Sequence, residues 1–457
     1  MLTRLIVLLA VTLAPAAATF AANLTRGPFT TENDSSCDIV VAPAATLLLP
    51  YFEVSASLTG ETTLVTVTNV TDVAEIARVT LWTDFAYPVI TFDIYLTGYD
   101  VQSISLYDVL FRGVISGERG TGTWVSPQGE RADDNPRLQT GNCGAVPSRI
   151  EPNVRARMQD AFTEGRVPGC NEIGSAHPNA VGYATIDVVR NCVAGRGPTD
   201  PRYFTEDILF DNVLIGDYLQ VNRDLSFAQA EPMVHIRAIP EGGTPRSRNS
   251  LLAPAQRLPH TFYGRFQPAS NRTADGRQPL PSSFAVRWIN GGTGDFETSL
   301  KIWRDGVTGP NAGCAAYKEV GQLQVTEIVA FDEDENGEGQ PTDYCGDTDW
   351  CVGIRPVYIP STTLVNLDDE EVFPMQIFAQ ETGGWLYLNL DDGYNSADDV
   401  RPPHQNWVVA TMRAEGRYSV DLTAAALGNG CSPVQPFTEY SAGPQNVFPG
   451  PAEDVTP

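Results

Sequence analysis

The chain has almost no lysine. Lys301 and Lys318 are the only two in 457 residues, and 30 basic residues stand against 56 acidic ones. The formal net charge is −26. A chain this acidic repels polyanions, so nucleic acid and anionic lipid lose their main attraction to it. Calcium, basic partners or plain solubility fit such a surface better. Histidine is also scarce. His177, His235, His260 and His404 are scattered, with no H-x-H or H-E-x-x-H pairing to hold a metal. His235 lies in the apolar segment Met233–Ala238 and reads as structural. There is no CxxC pair, which removes zinc and thiol-redox motifs. There is no G-x-S-x-G elbow, P-loop or dinucleotide fingerprint. Beyond the first residues no apolar run is long enough for a membrane helix, so no integral membrane segment is expected.

What is present begins with an export signal over residues 1–22. Arg4 is its charged start, Leu5–Leu13 its short apolar stretch, and the small residues up to Ala21 and Ala22 suit cleavage. The mature chain is then expected in the periplasm or outside the cell. The preference for arginine over lysine hints at a bacterial genome rich in G and C. All eight cysteines follow the signal, and an even number in an oxidising compartment reads as disulfides. Spacing favours Cys37–Cys192, Cys143–Cys170, Cys314–Cys431 and Cys345–Cys351.

Period-two alternation dominates the rest. Thr63, Val65 and Val67 alternate with Thr62, Leu64, Thr66 and Thr68. Ala77, Val79 and Leu81 alternate with Arg78, Thr80 and Trp82. Ile90, Phe92, Ile94 and Leu96 continue the pattern. Half-buried antiparallel strands alternate this way, and turn residues such as Asp72 and Gly98 separate them. One helix is predicted over Pro152–Thr163. Pro152 suits its first turn, Gly165 its end, and Val154, Met158 and Phe162 share a face.

Two halves resemble each other. Asn69, Trp82 and Asp84 recur as Asn290, Trp303 and Asp305, each 221 residues later. Val101–Asp108 matches Val325–Asp332, Gly182–Val188 matches Gly384–Leu390, and Asn212–Gly216 resembles Asn406–Ala410. The fold class expected is mainly β, with two tandem antiparallel β-sandwich modules of immunoglobulin-like or jelly-roll type. They should span 38–240 and 250–432, with a linker at 241–249 and a disordered tail at 437–457. Long insertions follow Asp108 and Asp332, and loops of that length are usually functional or mobile.

Two constellations carry site chemistry. Asp332, Asp334, Asn336, Glu338 and Asp343 follow the ligand spacing of a calcium loop, with Gly337 allowing the turn. No helices flank it, and a solvated acidic turn is the preferred reading. No cofactor is expected, with calcium the one left open. Trp82 and Trp303 would lie off the core face, as an aromatic platform for a sugar or partner, or else covered by a loop or by the other module. The function expected is an exported, non-catalytic binding or structural protein of the bacterial envelope or exterior, with a protein or glycan as partner. The alternative is a carbohydrate-active enzyme or sugar-binding protein whose insertions form the site.

Overall fold

The computed structural model describes residues 39–115, 135–140, 143, 149–170, 173–193, 195–225, 227–238, 261–266, 276–305, 322–323, 327–339, 357–358, 360–369, 372–373, 377–390, 405–414 and 418–427. The expected signal, linker and tail lie outside these residues. The first half contains β1 (Thr46–Val54), β2 (Glu61–Asn69), β3 (Glu75–Thr83), β4 (Pro88–Leu96), β5 (Val101–Ser105), helix α1 (Pro152–Glu164), β6 (Ala180–Val189), β7 (Leu214–Asn222), β8 (Phe227–Pro232) and β9 (Val234–Ile236). These strands form two antiparallel sheets, ordered β4-β3-β6-β1-β9 and β5-β2-β7-β8. Leu47, Leu49, Val65, Val67, Val79, Leu81 and Ile186 are buried together in one core. β1 and β2 lie in opposite sheets, whereas the first two strands of an immunoglobulin sandwich share one.

The second half contains β10 (Ser283–Ile289), β11 (Phe296–Arg304), β12 (Gln322–Leu323), β13 (Glu327–Asp332), β14 (Gly337–Gly339), β15 (Val357–Tyr358), β16 (Thr362–Asn366), helix α2 (Ile377–Gln380), β17 (Gly383–Asn389), β18 (Asn406–Ala414), β19 (Tyr418–Thr423) and β20 (Ala425–Ala426). Its sheets run β14-β13-β17-β10-β20 and β16-β11-β18-β19, with β12 and β15 as a separate pair. Setting that pair aside, the two halves have the same connectivity in chain order. β1 to β9 correspond to β10, β11, β13, β14, β16, β17, β18, β19 and β20. Every named sheet draws its strands from one half only.

The repeat is therefore present, but not in the register expected from sequence. Trp82 lies on β3, between β4 and β6. Trp303 lies on β11, between β16 and β18, which is the place of β2 in the first half. The Asn69, Trp82 and Asp84 match is a coincidence of Val- and Thr-rich strands. The match of Val101–Asp108 to Val325–Asp332 fails likewise, because β5 corresponds to β16. The matches of β6 to β17 and of β7 to β18 fall on corresponding strands.

Side chains confirm the corrected register. In the first half Trp82 pairs with Tyr183, and Thr83 with Gly182. In the second, Phe331 pairs with Trp385, and Asp332 with Gly384. Both aromatic pairs are stacked, at 5.7 Å and 4.1 Å between centroids. Phe162 of α1 meets Phe52 of β1 edge-on, and Phe378 of α2 meets Trp288 of β10 in the same way. The two glycines share one constraint. A Cβ on Gly182 would lie 2.2 Å from the Trp82 carbonyl oxygen, and one on Gly384 would lie 1.8 Å from that of Phe331. Backbone on a paired strand cannot move aside easily. Gly384→Ala should therefore cost about 1–3 kcal/mol, as overpacking does. Urea unfolding checks this, and an unchanged midpoint would refute the close approach.

The halves pack against each other through one sheet each. All nine residues of β3 and all ten of β6 are buried, so alternation is lost there. One face of that sheet closes the first sandwich. The other meets β11 and β16: Thr362 N donates to Asp84 O at 3.1 Å and Thr362 Oγ1 to Pro50 O at 2.6 Å. Beside this seam, β8 runs along β19, where Ser419 Oγ bonds Gln229 Oε1 and Thr423 Oγ1 bonds Glu231 Oε2.

Candidate functional site

The seam collects the residues that looked most like a site. Trp82 and Trp303 are 1% and 0% exposed. Trp82 stacks on Tyr183, Tyr183 meets Trp303 edge-on at 5.9 Å, and Phe262 stacks on Trp303 at 5.6 Å. The indole N–H of Trp82 donates to Thr185 Oγ1 at 2.9 Å. Of the two readings, the covered one describes both rings, and neither is an open platform. Rings this large bury roughly 150–250 Å² each, and here they join the two halves.

The polar face of β3 and β6 is filled by two buried charge networks. Arg78 forks onto Asp93, with Nε to Oδ1 at 2.6 Å and Nη2 to Oδ2 at 3.0 Å. Its Nη1 reaches Asp207 Oδ2 at 3.1 Å. Arg196 holds the other oxygen of Asp207 at 3.0 Å. In the second network Asp187 accepts from Thr46 Oγ1 at 2.5 Å, Tyr203 OH at 2.6 Å and Tyr263 OH at 2.8 Å. The Arg277 guanidinium stands 3.9 Å from the same carboxylate. Burial, then the charge of Asp187, raises both phenols well above their usual range, so they remain protonated donors. Each of these acidic groups meets a donor or cation.

Lys301 on β11 ties the halves a third time. Its Nζ lies 2.5 Å from Asp421 Oδ2 and 2.5 Å from Gln220 Oε1 of the first half. Burial pushes this ammonium down, and Asp421 opposes that shift. His177 Nε2 lies 2.9 Å from Asp84 Oδ2, and Ser175 N donates to the same oxygen at 3.2 Å. Among the described residues no hydroxyl or thiol is hydrogen-bonded to that ring. His235 is buried, and its Nε2 accepts from Gly216 N at 3.2 Å.

The acidic turn is a β13–β14 hairpin closed by Asp332. Its Oδ1 accepts from Asp334 N and Asn336 N, both at 2.8 Å, and its Oδ2 from Asn336 Nδ2 at 2.7 Å. Glu338 turns away and accepts from Ile377 N at 2.7 Å. Asp343 lies outside the described residues. Among the described residues no three His, Cys, Asp or Glu side chains group as a metal site requires. The same spacing that suits a cation loop also suits an Asx-type turn, in which the first carboxylate caps the following amides.

Cysteine pairing also differs from the expectation. Cys143 is bonded to Cys192, across 49 residues. This overturns both Cys143–Cys170 and Cys37–Cys192. Cys170 is itself disulfide-bonded. The physical reason is that the insertion is strapped to the end of β6, where Gln139 N donates to Arg190 O at 2.6 Å. Cys37 itself and the pairs Cys314–Cys431 and Cys345–Cys351 lie outside the described residues.

Two surface features went unforeseen. One is the Phe331–Trp385 stack, with Trp385 36% exposed and Arg287 beside it in the same cross-strand row. Its signal in the sequence was the Gly384–Trp385 pair matching Gly182–Tyr183. The other is a cleft of about 540 Å³ that includes Asp295, Glu297, Asp368 and Arg413 over Phe296 and Phe378. No helix among the described residues is long and apolar enough to cross a membrane. No family model matches this chain, and comparison with curated proteins and with solved structures returned no match.

Proposed function

We propose that the chain is an exported, non-catalytic binding or structural protein of the bacterial envelope or exterior. One observation carries the reading. Among the described residues the buried charges are answered by their own partners: the Arg78 cluster closes within the first half, and Lys301 reaches from the second half to Gln220 of the first. What faces outward is an aromatic row on a rigid sheet, which is the kind of anchor that recognition uses. Export itself rests on the leader at residues 1–22 and the even cysteine count.

The test is fractionation of the producing cells, with sequencing of the mature N-terminus. The expected product begins just after Ala21 or Ala22 and is found in periplasm or medium. Uncleaved protein in the cytoplasm would overturn the reading. A screen of oligosaccharides against Trp385 fluorescence addresses the competing sugar-binding role. Saturable quenching there, lost in Trp385→Ala, would replace a protein partner with a glycan. Calcium belongs to the same screen, since a cation bound only by the folded state raises its melting temperature.

A further inference from the structure

The two halves share one connectivity, so each owns one five-stranded and one four-stranded sheet with an outward face. The seam uses the five-stranded face of the first half and the four-stranded face of the second. Among the described residues no other sheet packs on the remaining face of each kind, and these two faces belong to different halves. We propose that this chain associates head to tail with further copies of itself. The outer face of β14-β13-β17-β10-β20 in one molecule docks on the outer face of β5-β2-β7-β8 in the next. This rests on the structural reading above and names its partner.

The five-stranded face resembles the one already joined in the seam. In the seam, Trp82 and Tyr183 are cross-strand partners, and Tyr183 and the nearby Pro50 meet the second half. The corresponding row on the open sheet is Arg287, Trp385 and Phe331. Its stacked ring pair is the counterpart of Trp82–Tyr183, yet its tryptophan is 36% exposed whereas Trp82 is 1% exposed.

The receiving face is depleted of charge. Its outward positions on β2 are Thr62, Leu64, Thr66 and Thr68, and they pair across to Val221, Leu219, Asp217 and Ile215 on β7. Val101 on β5, opposite Thr68, is 56% exposed. Asp217 is the one charged side chain among these positions. On a chain with 56 acidic residues, a four-stranded face carrying so little charge is a place where another surface fits.

A contact between two different faces is heterologous, so it propagates instead of closing on itself as a twofold dimer does. Self-repulsion at −26 opposes it, and salt screens that repulsion. The expected result is a concentration-dependent ladder of oligomers at roughly 100 µM and about 0.5 M salt, weakening at low salt. Light scattering after size exclusion reads it.

Trp385→Glu spoils one face and Leu64→Glu the other, and each alone should give a monomer with an unchanged melting temperature. Mixed in equal amounts they should form a dimer and stop there, because one intact face of each kind remains. A twofold interface predicts no such rescue. A wild-type chain that stays monomeric at both salt levels would overturn the proposal, and so would a mixture that stays monomeric. Secreted monomer would leave the functional reading standing, whereas cytoplasmic polymer would sink that reading and spare this one.

Discussion

Arg78→Ala is expected to be among the most destabilising single substitutions in the first half. The guanidinium donates to Asp93 twice, to Asp207 once, and to the carbonyls of Arg196 and Asn191. Burial by itself would push its pKa down, and the hydrogen bonds and charge of Asp93 more than reverse that. Removing it leaves Asp93 buried and anionic without its fork, in a site where burial already raises the carboxyl. Breaking a buried pair by deleting one partner costs about 3–5 kcal/mol. For a unit of this size that corresponds to a fall of roughly 10 °C in melting temperature. Arg78→Met combined with Asp93→Leu should recover part of the loss, because the stranded charge is then gone. A melting curve for Arg78→Ala within about 2 °C of wild type would show the network to be dispensable.

The fold was legible wherever one face of a strand meets solvent. β2 shows the alternation its sequence predicts, with Thr63, Val65 and Val67 buried and Leu64, Thr66 and Thr68 half-buried. The helix was legible as well. α1 starts at Pro152, and Gly165 closes it at φ 60°, in the left-handed region where glycine is favoured. Register between the halves was not legible, and β3 shows why. All nine of its residues are buried, so the alternation in its sequence marks no solvent face that could anchor a comparison. Trp82 looked like a partner for Trp303 because both are tryptophans in Val- and Thr-rich strands. Its true counterpart, Phe331, differs in size, and only the adjoining Gly182 and Gly384 keep the same constraint.

The candidate site was hidden for the same reason. Arg78 alternates with the apolar residues of its strand and so reads as a solvent-side residue when a sheet is assumed to face water on one side. That side is covered instead, so Arg78 must find partners in the protein, and it finds them within the first half. The acidic turn illustrates a different limit. Ligand spacing and turn capping both ask for Asp at the first position, so residues 332–337 fit both chemistries until the amide directions are known.

Stability should fall as pH rises toward 8, and Glu75 should be a main cause. Its carboxyl opens β3 and is 3% exposed. Asn135 Nδ2 donates to Oε1 at 3.2 Å, while Oε2 has no hydrogen-bond partner. Burial, reinforced by the charge of Asp211 and opposed by Arg137, raises Glu75 from 4.5 to about 8. The folded pKa therefore exceeds the unfolded one. Between pH 4.5 and 8 the native state keeps a proton that the unfolded chain has released, so raising pH favours unfolding. Below 4.5 the group contributes no difference, and above about 8 its full cost is present. At about 1.4 kcal/mol per pKa unit, that cost is on the order of 5 kcal/mol. Glu61, raised to about 7 by burial and by Glu53, adds in the same direction. Glu75→Gln mimics the protonated acid. The variant should melt with wild type near pH 5 and well above it at pH 9, by roughly 10 °C. Parallel pH profiles for the two proteins would show that Glu75 ionises in the folded state as freely as in water.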